Sequence, residues 1–189
     1  MPAAIHRTAL ALVALIAASI AVPAPAVTLG YGGIYAFGDS TTDNGNLYSW
    51  TDGKTPKSPP YWKGRFAEGP NWYDIVAAVF RAEGVETRNY AFGGAMAITN
   101  YDLILDLQNQ RRVFQNTIDP EKNSLATVWI GANDVMARVG KSNVASVARS
   151  AADEVVRAVN SLLSDGVKTA LVFNLGDLAD IPRYLTASA

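Results

Sequence analysis

The 189-residue sequence contains no cysteine, which excludes disulfides, Cys-ligated zinc, a thiol nucleophile and a lipid anchor on Cys. Histidine is almost as scarce: the single copy is His6, so no imidazole follows it. Charge of either sign is sparse. Sixteen Lys and Arg stand against 17 Asp and Glu, for a net charge of -1, and no basic run is present that would track a phosphate backbone. No nucleic-acid partner is expected. The longest apolar run, Thr8 to Val22, falls short of the about 20 residues that a membrane span needs. Apolar residues nevertheless make up 49% of the chain against 17% charged, which excludes a disordered or polyelectrolyte protein. The length suits one domain with a sizeable core.

Arg7 precedes the apolar run, and Ala24-Pro25-Ala26 behind it offers small residues at the positions signal peptidase reads. This predicts a signal peptide over residues 1–26, cleavage before Val27, and a secreted or periplasmic location for residues 27–189. Cleavage removes His6. No stable membrane span is expected afterwards, and the oligomeric state is left open.

Strands alternate with helices along the rest. Gly33 to Gly38 (GIYAFG) reads as a buried strand, and residues 45–70 as one long loop. A helix is expected from the Asn71 N-cap to Gly84, with Trp72, Ile75, Val76, Val79 and Phe80 on one face. Thr87 to Phe92 reads as a second strand, 102–114 as a helix, and Leu125 to Ile130 as a third strand. The apolar recurrence from Val144 to Leu162 is helical, stopped by Asp165-Gly166, and Thr169 to Phe173 is a fourth strand. Apolar strands joined by helices imply one α/β domain, a parallel sheet covered on both faces.

In such a sheet, functional groups collect beyond the carboxyl ends of the strands. Three of those ends carry unusual residues: Gly38-Asp39-Ser40, Gly93-Gly94 and Gly131-Ala132-Asn133-Asp134. The stretch from Phe37 to Asn46 resembles the nucleophile block of the SGNH hydrolases, also called GDSL-type lipases and esterases. Asn89 to Ala95 resembles their second block and Gly131 to Asp134 their third, while Gly64-Arg65-Phe66 with Gly69-Pro70 and Trp72 resembles a stretch of the plant-type and secreted bacterial branch.

The resemblance implies a three-layer αβα fold with a doubly wound, flavodoxin-like parallel sheet. It also implies ester hydrolysis by Ser40, with an oxyanion hole made by the Ser40 amide, the Gly94 amide and the Asn133 side chain. Glycine at 94 lets backbone approach a ligand closely, and an Asn amide donates without carrying charge. Aromatic residues Tyr48, Trp50, Tyr61 and Trp62 are expected to pack the long loop down more readily than to line a cleft.

Other signatures are not met. Gly38-Asp39-Ser40-Thr41-Thr42 lacks the second glycine of GxSxG, Gly30 to Gly33 precedes its strand and is no dinucleotide fingerprint, and Asp39 with Asp43 does not fit an EF-hand. No cofactor and no metal are expected. The family also implies a late DxxH block after a fifth strand. Neither Asp177 nor Asp180 has a histidine three positions on, so neither is assigned as the catalytic acid. The resemblance runs from about Gly33 to Tyr184, and the chain is expected to be an amino-terminal part of a family member, truncated after the fourth strand. Two readings stay open: a secreted ester hydrolase represented by this fragment, or a catalytically dead binding module or gene fragment of the same fold. The ester itself (lipid, phospholipid or acetylated sugar) is not specified by the residues.

Overall fold

The computed structural model describes residues 30–100 and 104–182. The expected signal segment, residues 1–26, lies outside the described residues, as do the first positions of the helix expected over 102–114 and the last of the family-like stretch. In chain order the elements are β1 (Gly33–Gly38), α1 (Asn46–Trp50), α2 (Trp72–Ala82), β2 (Glu86–Asn89), α3 (Leu107–Thr117), β3 (Leu125–Trp129), α4 (Ala132–Met136), α5 (Val144–Ser164) and β4 (Thr169–Val172), followed by a 3-10 turn over Leu178–Asp180. All strands are parallel in the order β2-β1-β3-β4, with Ala36 opposite Asn89 and Gly38 opposite Trp129.

Strand alternation assigns the layers. Tyr35 and Phe37 of β1 and Ala126 and Val128 of β3 share a core with Leu107 and Phe114 of α3 and with Ala151, Ala158 and Leu162 of α5. Ala36 points to the other face, where it meets Tyr73 and Ala77 of α2. Helices on both faces of one parallel sheet make the three-layer, doubly wound α/β fold that the family resemblance implies.

Helix α2 starts as expected, on a reciprocal capping box. The Asn71 side chain accepts from the Asp74 amide at 3.0 Å, and the Asp74 carboxylate accepts from the Asn71 amide at 3.1 Å. Its buried face differs from the expected one. Tyr73, Ala77 and Phe80 are buried, whereas Ile75 and Val79 are 61% and 53% exposed. The small Ala77 side chain lets the helix approach Ala36, and that contact sets the rotation of the helix.

Other boundaries moved for tertiary reasons. Strand β2 stops at Asn89 because the ladder is only half kept beyond it: the Tyr90 and Phe92 amides still donate to the Ala36 and Gly38 carbonyls at 2.7 and 3.1 Å, but the Gly38 amide turns to the Gln110 side chain. Helix α3 begins only at Leu107, because Asp106 turns its carboxylate back to the amides of Met96 and Asn100. The long loop contains the short α1, whose first amides, on Asn46 and Leu47, are accepted by Asp43. Its aromatics divide: Tyr61 lies against Phe66, and Arg65 sits over Trp62 while gripping Asp74 with two hydrogen bonds of 3.0 and 2.6 Å, whereas Trp50, edge-on to Phe92, is 54% exposed and lines a cavity beside β2, against expectation.

Coverage of the sheet is unequal. Every residue of β1 is buried, but at the β4 edge Leu171 and Val172, which face opposite sides, are each 46% exposed. No helix among the described residues is long and apolar enough to cross a membrane.

Candidate active site

Strand β1 ends where only glycine fits. A Cβ on Gly38 would lie 2.6 Å from the Trp129 carbonyl oxygen and 3.0 Å from Thr42 Oγ1. The chain then turns within a few residues: the Asp39 carbonyl accepts the amides of Thr42 and Asp43, and the Asp39 carboxylate accepts the Thr41 amide at 3.0 Å and its hydroxyl at 2.8 Å. Ser40 is inside this turn and is half-buried. Burial pushes the Asp39 carboxyl above its ordinary value. The Thr41 hydrogen bonds pull it back, and the neighbouring Asp134 pushes it further up.

Asp43 is fully buried and ties the turn to the second segment. Its carboxylate accepts four amides, those of Gly45, Asn46 and Leu47 and, from 50 positions away, Gly93 at 2.8 Å. The Asn89 side chain donates to the Thr42 carbonyl, the Asn71 side chain to the Asp43 carbonyl, and the Phe92 amide to the Gly38 carbonyl. The two glycines that follow are required for different reasons. A Cβ on Gly93 would lie 2.3 Å from the Phe66 ring, whereas Gly94 is exposed and has a φ of +82°, a conformation that favours glycine.

The third segment completes the connection. Gly131, with φ of +114°, breaks from β3 into α4, whose second residue is Asn133. Asn133 is half-buried and donates through Nδ2 to the Ala95 carbonyl at 2.8 Å. Asp134 beside it is buried, and its carboxylate accepts the amides of Ala97 at 2.8 Å and Ile98 at 3.0 Å. Burial pushes the Asp134 carboxyl up and those amides pull it down, the net shift being upward. The loop after Gly94 is therefore pinned at residue 95 by Asn133, at 97 and 98 by Asp134, and at 96 and 100 by Asp106.

The structure thus brings the segments bearing Ser40, Gly94 and Asn133 to one end of the sheet, with Gly94 flanked by a residue bonded to the first segment and a residue bonded to the third. None of the three lines the cavity of about 600 Å³ beside β2, which Trp50, Phe92 and Val113 help to form, or that of about 300 Å³ between β4 and α5. Gly94 is exposed at that end of the sheet, and Ser40 and Asn133 are half-buried. Among the described residues, no group of three His, Asp or Glu side chains is placed to hold a metal ion. In the sequence Asp43 and Asp134 stand out as members of motifs, with no sign of the amides they hold, and no motif marks Asp106 or Gln110. A polar residue in the buried register of α3, between Leu107 and Phe114, is the signal that would have singled out Gln110.

Comparison with known proteins bears on these segments. A family model described as GDSL-like lipase/acylhydrolase matches residues 34–189. The chain is 34% identical over 157 residues to the phosphatidylcholine-sterol acyltransferase of Aeromonas hydrophila, covering 79% of this chain and 46% of that protein. It is 25% identical over 156 residues to the thermolabile hemolysin of Vibrio parahaemolyticus, with 80% of this chain and 35% of that one covered. Against Lipase 1 of Photorhabdus luminescens the identity is 26% over 163 residues, with coverage of 82% and 24%. The chain spans less than half the length of each of these relatives.

Proposed function

The chain belongs to the GDSL-like lipase/acylhydrolase family, and from that membership we propose that it carries the nucleophile and oxyanion side of an exported ester hydrolase. Ser40 Oγ attacks the ester carbonyl carbon, the carbonyl oxygen becomes an oxyanion, and collapse of the tetrahedral intermediate expels the alcohol and leaves an acyl-enzyme for water to cleave. The oxyanion is met by the amides of Ser40 and Gly94 and by the Asn133 side chain. Each such donor is worth about 3–4 kcal/mol in the transition state. Asn133 has two amide hydrogens, and its bond to the Ala95 carbonyl uses one, so the second is left for the oxyanion.

The observation that supports this reading most is the set of hydrogen bonds that joins the three family blocks end to end, from Gly38 through Phe92 and Ala95 to Asn133. The Asp39 carboxylate is turned to Thr41 through Oδ1 and is not assigned as the base. The imidazole that a serine hydroxyl needs has to come from outside residues 27–189, since His6 is the single histidine. Relatives named as a phosphatidylcholine-sterol acyltransferase and a lipase make a lipid ester the first substrate class to try. The apolar run behind Arg7 supports export to the periplasm or medium.

In the natural polypeptide that carries these residues, Ser40→Ala is expected to lower kcat on a short-chain aryl ester by about 10⁴-fold or more. Asn133→Ala is expected to lower it by about 10²–10³-fold with little change in KM. Unchanged turnover in Ser40→Ala would sink the proposal. The second reading is a binding module that keeps the site without its base. Under that reading the natural polypeptide binds aryl boronates at Ser40 yet shows no turnover above the Ser40→Ala level. Residues 27–189 alone are expected to hydrolyse the ester little faster than their Ser40→Ala form under either reading.

A further inference from the structure

Gln110 is fully buried, on a face of α3 otherwise made of Leu107 and Phe114. A carboxamide in such a place costs free energy unless its donors and acceptor are satisfied. They are satisfied by one distant residue above all. Gln110 Oε1 accepts the Gly38 amide at 2.9 Å, and Nε2 donates to the Gly38 carbonyl at 2.8 Å and to the Leu105 carbonyl at 2.7 Å. Gly38 is the last residue of β1, and its neighbour β2 has already ended at Asn89, opposite Ala36. On that side the ladder offers the Gly38 carbonyl only the Phe92 amide, and the Gly38 amide is accepted by Gln110.

We propose that Gln110 is a positioning residue for the Ser40 nucleophile, its side chain accepting the Gly38 amide in place of a ladder carbonyl at the end of β1 and fixing the peptide plane from which the Ser40 turn departs. This rests on the assignment of Ser40 as nucleophile. The Gly38 carbonyl takes two donors, from Gln110 and from Phe92, so the Gly38–Asp39 peptide cannot rotate without losing both. Ser40 follows one residue later, with its carbonyl-side neighbours fixed by Asp39. Loss of Gln110 frees the start of this turn while Asp43 still holds its end, and the Ser40 hydroxyl and amide lose their common aim. A displacement of about 1 Å in such a group is worth about 100-fold in a reaction that depends on alignment.

Phenylboronic acid tests this in the 189-residue chain without requiring turnover. The Ser40 Oγ–B bond forms, boron becomes a tetrahedral anion, and the hydroxyl proton passes to solvent. Affinity is read by boron NMR for the wild-type chain and for Ser40→Ala, Gln110→Met and Gln110→Glu, each at a temperature where circular dichroism shows it folded. The expected results are binding that Ser40→Ala abolishes and a loss of about 10- to 100-fold in Gln110→Met. Gln110→Glu adds a pH signature. A buried Glu titrates above its ordinary value. Protonated, it has the shape of the carboxamide with one donor and one acceptor; ionised, it repels the Gly38 carbonyl. Its affinity relative to wild type should therefore recover as the pH is lowered, a change that a purely stabilising side chain would not produce in folded protein. Wild-type affinity in folded Gln110→Met, or a pH-independent ratio in Gln110→Glu where the Met variant does not fold, overturns the role of Gln110 and leaves Ser40 in place. Failure of the wild-type chain to bind, or binding that survives Ser40→Ala, overturns both.

Discussion

Gly93 and Gly94 are adjacent, yet substitution should damage them in ways that can be separated. At Gly93 the obstacle is the Phe66 ring, 2.3 Å from the added Cβ, with Leu47 at 2.8 Å. At Gly94 the nearest atom is Ile104 Cδ1 at 3.0 Å, and the backbone is itself in the left-handed region. Overpacking of this kind costs about 1–3 kcal/mol, and an L-residue in the left-handed conformation about 1–2 kcal/mol. Urea denaturation should show both Gly93→Ala and Gly94→Ala to be destabilised. Adding Phe66→Ala should make the Gly93→Ala substitution cheaper than it is in the native background, and should leave the cost of Gly94→Ala unchanged. Equal coupling of Phe66 to both glycines would contradict the geometry. The two were legible in the sequence as a pair because both are glycine, but the division of labour was not, since Phe66 meets Gly93 only after the long loop has folded over it.

At the level of elements, the capping box of α2 is also the anchor of the long loop. Burial pushes the Asp74 carboxyl up, but the Arg65 guanidinium and the Asn71 amide outweigh burial and hold it below its ordinary value. A depressed folded pKa means that Asp74 adds stability above the ordinary carboxylate range and that this is lost as the pH falls through the folded value. Asp39 and Asp134 are shifted upward and act in the opposite sense: the folded state holds their protons more tightly, so their contribution declines as the pH rises through their folded values. Asp74→Asn should therefore reduce stability near neutral pH and shrink the loss seen on acidification below about pH 4, as measured by thermal melts across pH. An acid limb identical to wild type would rule out the Arg65 pairing as its source. Elements whose cause is local were readable in advance: β1 from its apolar run, α2 from Asn71, α5 from its recurrence at three and four. The ends of β2 and α3 were not, because Gln110 and Asp106 set them through bonds to other segments.

For the whole molecule, a parallel sheet covered on both faces follows from alternating strands and helices, its doubly wound order is what the family resemblance implies, and the structure agrees with both. The exposure of β4 has a physical cost. Leu171 and Val172 lie open on opposite faces of a strand whose outer edge has no partner among the described residues, an arrangement that invites pairing with another chain. Purified residues 27–189 should self-associate as their concentration rises, and Leu171→Lys with Val172→Lys should suppress this, as followed by sedimentation velocity and light scattering. A monomer at high concentration, or association indifferent to the two lysines, would locate the tendency elsewhere, with Ile75 and Val79 on α2 the next candidates.

The polar grip on the loop that follows Gly94 is all on its main chain: the carbonyl of Ala95 and the amides of Met96, Ala97, Ile98 and Asn100 are what Asn133, Asp134 and Asp106 hold. Every amino acid except proline presents the same amide. Ala95 and Ala97 are buried in the core and stay small, but selection can change the side chains of Met96 and Asn100 without dismantling the scaffold that aims the glycine, so the site is evolvable at part of its border while fixed at its centre.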